Sequence, residues 1–388
     1  MRVLITSPVF PPDLGGPAIY VPSLARWLQS RGHDVTVVAF CSDPAPKGYP
    51  FRVVSIPPAS LPLRYLRAFL TVRREARDAD VVYVNEHLAL LHVLGARLAR
   101  KPVVVRIMVD GAWEIAHRYG WCDGDDIVTF QTKTYGWKVK LARALQKRWW
   151  KASEHVIACS EFLRQILVGR YGVPGEKVER IYNAYHGPSR DDVQATPAEA
   201  RAALGLREGP RYLLTICRLM VWKRVDAIID ALKSLPDDVH LLVAGDGDML
   251  DAWKAHAARA GLGDRVHFLG NVVHAKIPLL IRASEVFVLN SEYEGLSHTL
   301  IEVQSLGTPI VASRVCGNPE VVVDGETGFL VDPRNSYELI EALTKLLSDR
   351  SLRERLATEG LRQSTRFQRE VTFPRVEAAL ARAASPRA

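Results

Sequence analysis

Short, nearly continuous runs of β-branched and other apolar residues recur along this chain, each followed by a stretch with helical spacing. That recurrence confines the fold to parallel sheets covered by helices on both faces. In the first half the runs fall at 2–6, 34–39, 51–56, 80–84, 102–107, 155–158 and 178–181. Helical stretches at 19–31 and 87–100 lie between them, and Gly32 closes the first as a stop signal. From about Asn183 to Pro210 the pattern breaks into a stretch punctuated by Pro188, Pro197, Gly209 and Pro210, read as a connection carrying one short helix. The alternation then restarts, with strands expected at 211–216, 239–244, 265–268, 285–289 and 309–312 and helices at 224–234, 248–260, 274–282 and 298–306. The end, 335–385, is helical throughout. The reading is α/β, with two doubly wound parallel-sheet domains.

Length and composition agree. A chain of 388 residues, 48% hydrophobic and 24% charged, holds two cores of ordinary size. No run reaches the roughly 18 apolar residues of a membrane span. The strand-like start at Met1–Thr6 leads to the expectation that no signal peptide precedes the fold. Five scattered cysteines (Cys41, Cys122, Cys159, Cys217 and Cys316) argue against a disulfide framework or a paired-cysteine zinc site, and suit a reducing cytoplasm. Residues 1–190 carry 27 Lys and Arg against 16 Asp and Glu, whereas the remainder carries 24 against 27, so the net +8 comes from a basic first half. Nucleic acid, an anionic membrane and an anionic substrate are all compatible with that charge.

Ligands of doubly wound sheets bind at the carboxyl ends of the strands, so the loops after strands carry the candidates. Gly15 and Gly16, before the first helix, let backbone amides approach an anion, or simply make a turn. The loop is neither a GxGxxG fingerprint nor a Walker loop. Arg218 and Lys223 follow the strand 211–216, where two cations can converge on a diphosphate; a solvated basic loop is the alternative. After the strand 285–289 come Glu294 and, seven residues between, Glu302. Residues 295–299 would present free amides at a helix start, with the carboxylates placed to accept sugar or ribose hydroxyls, although Glu302 also suits a helix-dipole partner.

This spacing is followed by Gly307-Thr308-Pro309-Ile310-Val311 and Gly317-Asn318-Pro319-Glu320. Together with Cys159-Ser160-Glu161-Phe162, Tyr182-Asn183-Ala184 and Gly245-Asp246-Gly247, it resembles the retaining glycosyltransferases of family four across nearly the whole chain. The resemblance implies a GT-B fold of two facing Rossmann-like domains. These are an acceptor-side domain at 1–190, a nucleotide-sugar domain at 191–370, and a C-terminal helix at 371–388 crossing back onto the first. It implies that Arg218 and Lys223 hold the donor diphosphate, that Glu302 binds ribose and Glu294 the donor sugar. The amides of Gly295, Leu296, Ser297, His298 and Thr299 would touch the donor as well. Asn271 and Val272 would lie against the base, and Gly15 and Gly16 would approach the phosphate from the other domain. The family's usual histidine after the strand 102–107 is missing here. Asp110 is expected in its functional place, as sugar contact or acceptor-side base, with a helix cap before 112–118 as the alternative. His298 would either cap its helix or reach the donor.

Asp123 with Asp125 and Asp246 with Asp248 resemble metal-binding pairs of the other large glycosyltransferase fold, but the resemblance implies catalysis without a metal or other cofactor. The expected partners are a nucleotide-diphosphate sugar and a hydroxyl acceptor, saccharide or lipid-linked, and not nucleic acid. A cytoplasmic protein, peripheral on the inner face of the membrane, in cell-envelope polysaccharide or glycolipid synthesis would fit. A sugar-nucleotide epimerase and a non-catalytic nucleotide- or carbohydrate-binding protein are the alternatives. Residues 127–153 hold seven Lys and Arg and no acid, with Trp137, Leu141, Leu145 and Trp149 at every fourth position. Such a helix either rests on an anionic lipid surface through Lys140, Arg143, Lys147 and Arg148, or packs its aromatic stripe on the sheet.

Overall fold

The computed structural model describes residues 1–13, 15–85 and 90–385. The chain divides into two compact units, residues 1–186 with 369–388, and residues 187–368. The first contains β1 (Arg2–Ser7), β2 (Asp34–Phe40), β3 (Arg52–Ile56), β4 (Val81–Val84), β5 (Val103–Ile107), β6 (His155–Ala158) and β7 (Val178–Arg180). They form one parallel sheet in the order β3-β2-β1-β4-β5-β6-β7. The central strands β1, β4 and β5 are buried on both faces, which is why they read as unbroken apolar runs. Val3, Ile5, Val37, Tyr83 and Val104 pack with Val21, Leu24 and Leu28 of the Gly16–Ser30 helix on one side. Phe373, Val376 and Leu380 of the terminal helix Arg369–Ala384 join the same core, so the chain ends as part of the unit in which it begins. Gly32 takes a left-handed φ of 84° just past the first helix, the stop its position suggests. The helix expected over 87–100 is seen as Leu90–Leu98; its expected start at His87 lies outside the described residues.

The second unit contains β8 (Arg211–Ile216), β9 (Val239–Ala244), β10 (Val266–Gly270), β11 (Val286–Leu289), β12 (Ile310–Ser313) and β13 (Phe329–Val331), parallel throughout in the order β10-β9-β8-β11-β12-β13. Each sheet reverses its winding once. In the first unit the reversal falls between β1 and β4, and in the second between β8 and β11. A crevice opens at such a point because the flanking helices leave on opposite faces. The segments that follow β8 and β11 carry Arg218, Lys223, Glu294 and Glu302, so the topology sets all four after two neighbouring strands.

Candidate functional site

After β8 the chain runs through Arg218 into a tight turn, Val221–Lys223, and Arg224 takes a left-handed conformation (φ 46°, ψ 44°) before the helix Val225–Ala231. After β11 it passes Ser291 and Glu294 into the helix His298–Leu306. The two loops are tied to each other. The Glu292 amide donates to the Trp222 carbonyl at 2.7 Å, and Arg224 lies 3.4 Å from the Glu292 carboxylate. At the centre, the Lys223 ammonium meets the Glu294 carboxylate, which also accepts from Ser291 Oγ at 2.9 Å. Both partners are mostly shielded from water, so neither charge is well compensated without the other. The sequence suggests separate tasks for these two residues, whereas the structure joins them as one pair. Arg218 is exposed and forms no ion pair among the described residues, which leaves its planar donor fork available to an anion.

Two glycines make this geometry possible. A Cβ on Gly245, at φ 131°, would lie 1.9 Å from the Cys217 carbonyl oxygen, so the Gly-Asp-Gly turn after β9 lies directly against the loop bearing Arg218. The Leu219 amide donates to the Asp246 carbonyl at 2.9 Å and locks that approach. A Cβ on Gly317 would lie 2.2 Å from the Gly295 carbonyl oxygen, and the Gly317 amide donates to the Glu294 carbonyl at 3.0 Å. The Gly-Asn-Pro-Glu motif thus supports the Glu294 loop from behind. Asn271 and Val272 follow β10, and Asn271 Nδ2 is 3.4 Å from Asp246 Oδ2. The capping expectation for His298 is corrected: Ser297 is the cap, its hydroxyl accepting from the Leu300 amide at 3.2 Å, and His298 is the first helical residue. Leu296 through Thr299 lead into that helix start.

Glu302 lies just beyond the first turn of the same helix. Its Oε1 is buried without a hydrogen-bond partner among the described residues, and the His274 imidazole Nε2 is 3.9 Å away. Burial raises its carboxyl to about 7, and burial also lowers the His274 imidazole, so both groups are shifted towards their neutral forms. A buried carboxyl without a donor is what a ligand hydroxyl would satisfy. With the carboxyl raised in the folded state, stability is greatest below pH 4.5 and is lost as pH rises towards 7. Replacing Glu302 with Gln removes a penalty on the order of 3 kcal/mol at pH 8, and none at pH 4. Melting curves of the ligand-free variant should therefore lie above wild type at pH 8 and coincide with it at pH 4; a pH-independent difference would contradict this assignment.

In the first unit, Gly15 stands at the N-cap of the Gly16–Ser30 helix, after β1 at the β1/β4 reversal, and as a glycine offers no side-chain hydrogen bond to its first turn. Asp110 is different from its expected catalytic role. It is fully buried and caps the helix Gly111–Arg118, accepting from the Ala112 and Trp113 amides at 3.1 and 3.3 Å. Gln131 Nε2, Gln146 Nε2 and the Tyr171 hydroxyl donate to the same carboxylate at 2.6, 2.7 and 2.8 Å. Five protein donors surround the charge, and its oxygens are closed to solvent, so the cap alternative describes its position. Asp125 is likewise engaged, by Lys133 at 2.8 Å and Tyr135 at 2.7 Å. Among the described residues no three His, Cys, Asp or Glu side chains form a metal-ligand set.

The basic helix is Trp137–Ala152. Trp149 and Trp150 are buried, Trp149 facing neighbouring helices and Trp150 meeting the Tyr171 ring edge-on at 4.8 Å, while Trp137, Leu141 and Leu145 are exposed. Arg143 is not available to a surface partner: its guanidinium donates to the Phe130 and Lys133 carbonyls and covers the Phe130 ring.

Comparison with known proteins supports the same picture. Residues 197–363 match the family described as glycosyl transferases group 1, and residues 14–186 match glycosyltransferase family 4. A glycosyltransferase of Methanocaldococcus jannaschii is 26% identical over 371 residues, covering 91% of each chain. A GDP-mannose-dependent α-(1-6)-phosphatidylinositol monomannoside mannosyltransferase of Mycobacterium tuberculosis is 26% identical over 366 residues, covering 90% of each. Among solved structures, sucrose-phosphate synthase from Thermosynechococcus elongatus superposes with a TM-score of 0.81 at 20% identity, covering 99% of this chain and 100% of that one. The Anabaena protein HepE, in complex with UDP-glucose, superposes with a TM-score of 0.76 at 23% identity, covering 98% and 100%.

Proposed function

Because this chain belongs to the group 1 glycosyltransferases of family 4, with the GT-B fold, we propose that it moves a sugar from a nucleoside-diphosphate donor to a hydroxyl acceptor with retention of anomeric configuration. The observation that carries the reading is the placement of four side chains after β8 and β11, the two strands that flank the reversal. They are the Lys223–Glu294 pair, Arg218, which forms no ion pair among the described residues, and Glu302, whose buried Oε1 has no hydrogen-bond partner among them. Arg218 and Lys223 take the diphosphate, and the amides from Gly295 to Thr299 add donors at a helix start. Glu302 accepts the ribose hydroxyls, and Glu294, steered by Lys223, faces the sugar. Asn271 and Val272 border the base.

In the transfer, the acceptor oxygen forms a bond to the anomeric carbon as the bond from that carbon to the diphosphate breaks. The acceptor proton passes to the departing phosphate oxygen on the same face, so the configuration is kept. Negative charge grows on the diphosphate, and the pre-aimed cations and amides stabilise it without reorganisation. The reaction is proposed to need no metal or other cofactor. The relatives named above use or hold GDP-mannose and UDP-glucose, which makes uridine and guanosine diphosphates the first donors to try. The basic first half supports an anionic or lipid-linked acceptor, in envelope polysaccharide or glycolipid synthesis on the cytoplasmic face of a membrane. No helix among the described residues is long and apolar enough to cross one.

Calorimetric titration with UDP and GDP tests the division of roles. Glu302→Gln should weaken binding of whichever nucleotide the parent protein binds, because the ribose contact exists before and during reaction. Glu294→Gln should leave that affinity nearly intact and lower turnover instead. Equal losses of nucleotide affinity in the two variants would refute the assignment.

A further inference from the structure

An apolar cavity of about 260 Å³ lies within the first unit, between helices, and takes no part in the site described above. Its walls include Tyr65 of the helix Leu61–Ala76, Leu91 of Leu90–Leu98, Ile115 of Gly111–Arg118, and Ala142, Leu145 and Trp149 of Trp137–Ala152. It is larger than the ~150 Å³ apolar cavities that stay dry and take up benzene. Two of its walls are first turns: Leu90–Leu98 follows β4, and Gly111–Arg118 follows β5. The cavity therefore sits at the carboxyl end of this unit's sheet, the end at which doubly wound sheets bind ligands.

Its mouth continues in apolar side chains that the fold leaves uncovered. One helical turn from Leu145 is Leu141, 51% exposed, and one turn further is Trp137, 70% exposed. One turn from Tyr65 is Leu61, 66% exposed, and Leu94, also exposed, follows Leu90 and Leu91 by the same spacing. Three separate helices thus extend the lining of one cavity outward. Around it the charge has one dominant sign. Trp137–Ala152 carries Lys and Arg at 138, 140, 143, 147, 148 and 151 and no acid, and Leu61–Ala76 adds Arg64, Arg67, Arg73 and Arg74 against Glu75. Lys140, Lys147, Arg148 and Arg67 are exposed. Water-exposed leucine and tryptophan ringed by cations match the boundary between hydrocarbon and anionic headgroups.

We propose that this cavity takes the hydrocarbon chain of an anionic, lipid-linked acceptor, with the surrounding leucines and lysines resting on the bilayer from which the chain is drawn. The inference rests on the proposed transfer only in assigning the chain to the acceptor; binding of the chain itself does not depend on it. Each methylene that enters gains roughly fourfold in affinity, so a chain of moderate length binds measurably without its headgroup being specifically recognised. A phosphate beside the mouth would be met by Arg148, on the same side of the helix as Leu141 and Leu145, while Lys140 and Lys147, further round the helix, would meet neighbouring headgroups of the bilayer.

The test is calorimetric titration of the full chain with dodecyl phosphate below its micellar concentration, with inorganic phosphate as the chainless control and UDP and GDP titrated in parallel. Dodecyl phosphate should bind and inorganic phosphate should not. Ala142→Trp fills the cavity and should lower dodecyl phosphate affinity at least tenfold, with nucleotide affinity and melting temperature unchanged. Should that variant melt early, Leu145→Glu at the half-exposed mouth gives the same readout. Replacing Lys140, Lys147 and Arg148 together with Gln should remove salt-sensitive binding to phosphatidylglycerol vesicles. Dodecyl phosphate binding that is absent, or undiminished in both cavity variants, overturns the proposal. So does vesicle binding by Ala142→Trp and wild type alike with no dodecyl phosphate bound by either. Nucleotide binding by the same protein would leave the donor assignment standing in each of those cases, whereas absence of nucleotide binding beside intact chain binding would count against the donor site alone.

Discussion

Replacing Arg218 and Lys223 together with alanine should lower sugar transfer by about 10²–10⁴-fold, since each charge-assisted bond to the diphosphate contributes about 1.5–3 kcal/mol. The two single variants should differ in character. Arg218 has no ion-pair partner among the described residues, so its loss removes a phosphate contact and little else. Lys223 neutralises Glu294 in a shielded position, so Lys223→Ala also strands a carboxylate beside the donor phosphates. Lys223→Ala should therefore be the more damaging single change, and combining it with Glu294→Gln should recover nucleotide affinity without recovering turnover. Steady-state rates of the four proteins check this. Full activity in the double alanine variant would remove both residues from the donor site.

Asp110→Ala should destabilise the protein by about 3–5 kcal/mol, which for a unit of this size lowers Tm by roughly 10 °C. The change deletes a buried charge that five donors share, and leaves Gln131, Gln146 and the Tyr171 hydroxyl facing a gap. Burial and the adjacent carboxylate both raise the Tyr171 phenol, which keeps it a neutral donor at any physiological pH. Asp110→Asn retains the shape but turns an amide towards those donors, and should fall between the alanine variant and wild type. The measurement is a pair of thermal melts with transfer rates taken well below the lower Tm. Unchanged melting with abolished turnover would instead restore Asp110 to the chemistry.

What the sequence disclosed follows from range along the chain. Strand runs and helix stops are local, and β1 through β12 were readable within a residue or two because burial on both faces writes itself as continuous apolar sequence. The edge strand Phe329–Val331 is not read from the sequence: its apolar run is only three residues long, between Gly328 and Asp332. That Arg218, Lys223, Glu294 and Glu302 all follow two neighbouring strands, β8 and β11, is legible from strand-end position. The Lys223–Glu294 bond spans 71 residues, and no periodicity announces it. The cap at Asp110 was visible before its helix, but the donors that seal it lie 21, 36 and 61 residues away. Gly245 and Gly317 stood in recognisable motifs, yet only coordinates show that each glycine exists to let a neighbouring carbonyl come close. The amphipathic helix Trp137–Ala152 had two readings because its stripe serves two surroundings, buried at Trp149 and open at Trp137.

The central claim is that the protein cleaves a nucleotide sugar only by handing the sugar to an acceptor. Nucleoside-diphosphate release from UDP- and GDP-sugars, measured with and without hydroxyl acceptors, tests it most directly. The account predicts that one donor gives release stimulated strongly by an acceptor, with a product of unchanged anomeric configuration and no stimulation in the Arg218→Ala, Lys223→Ala protein. Acceptor-independent release accompanied by a free epimerised sugar nucleotide, or stimulated release that survives the loss of both cations, would contradict it.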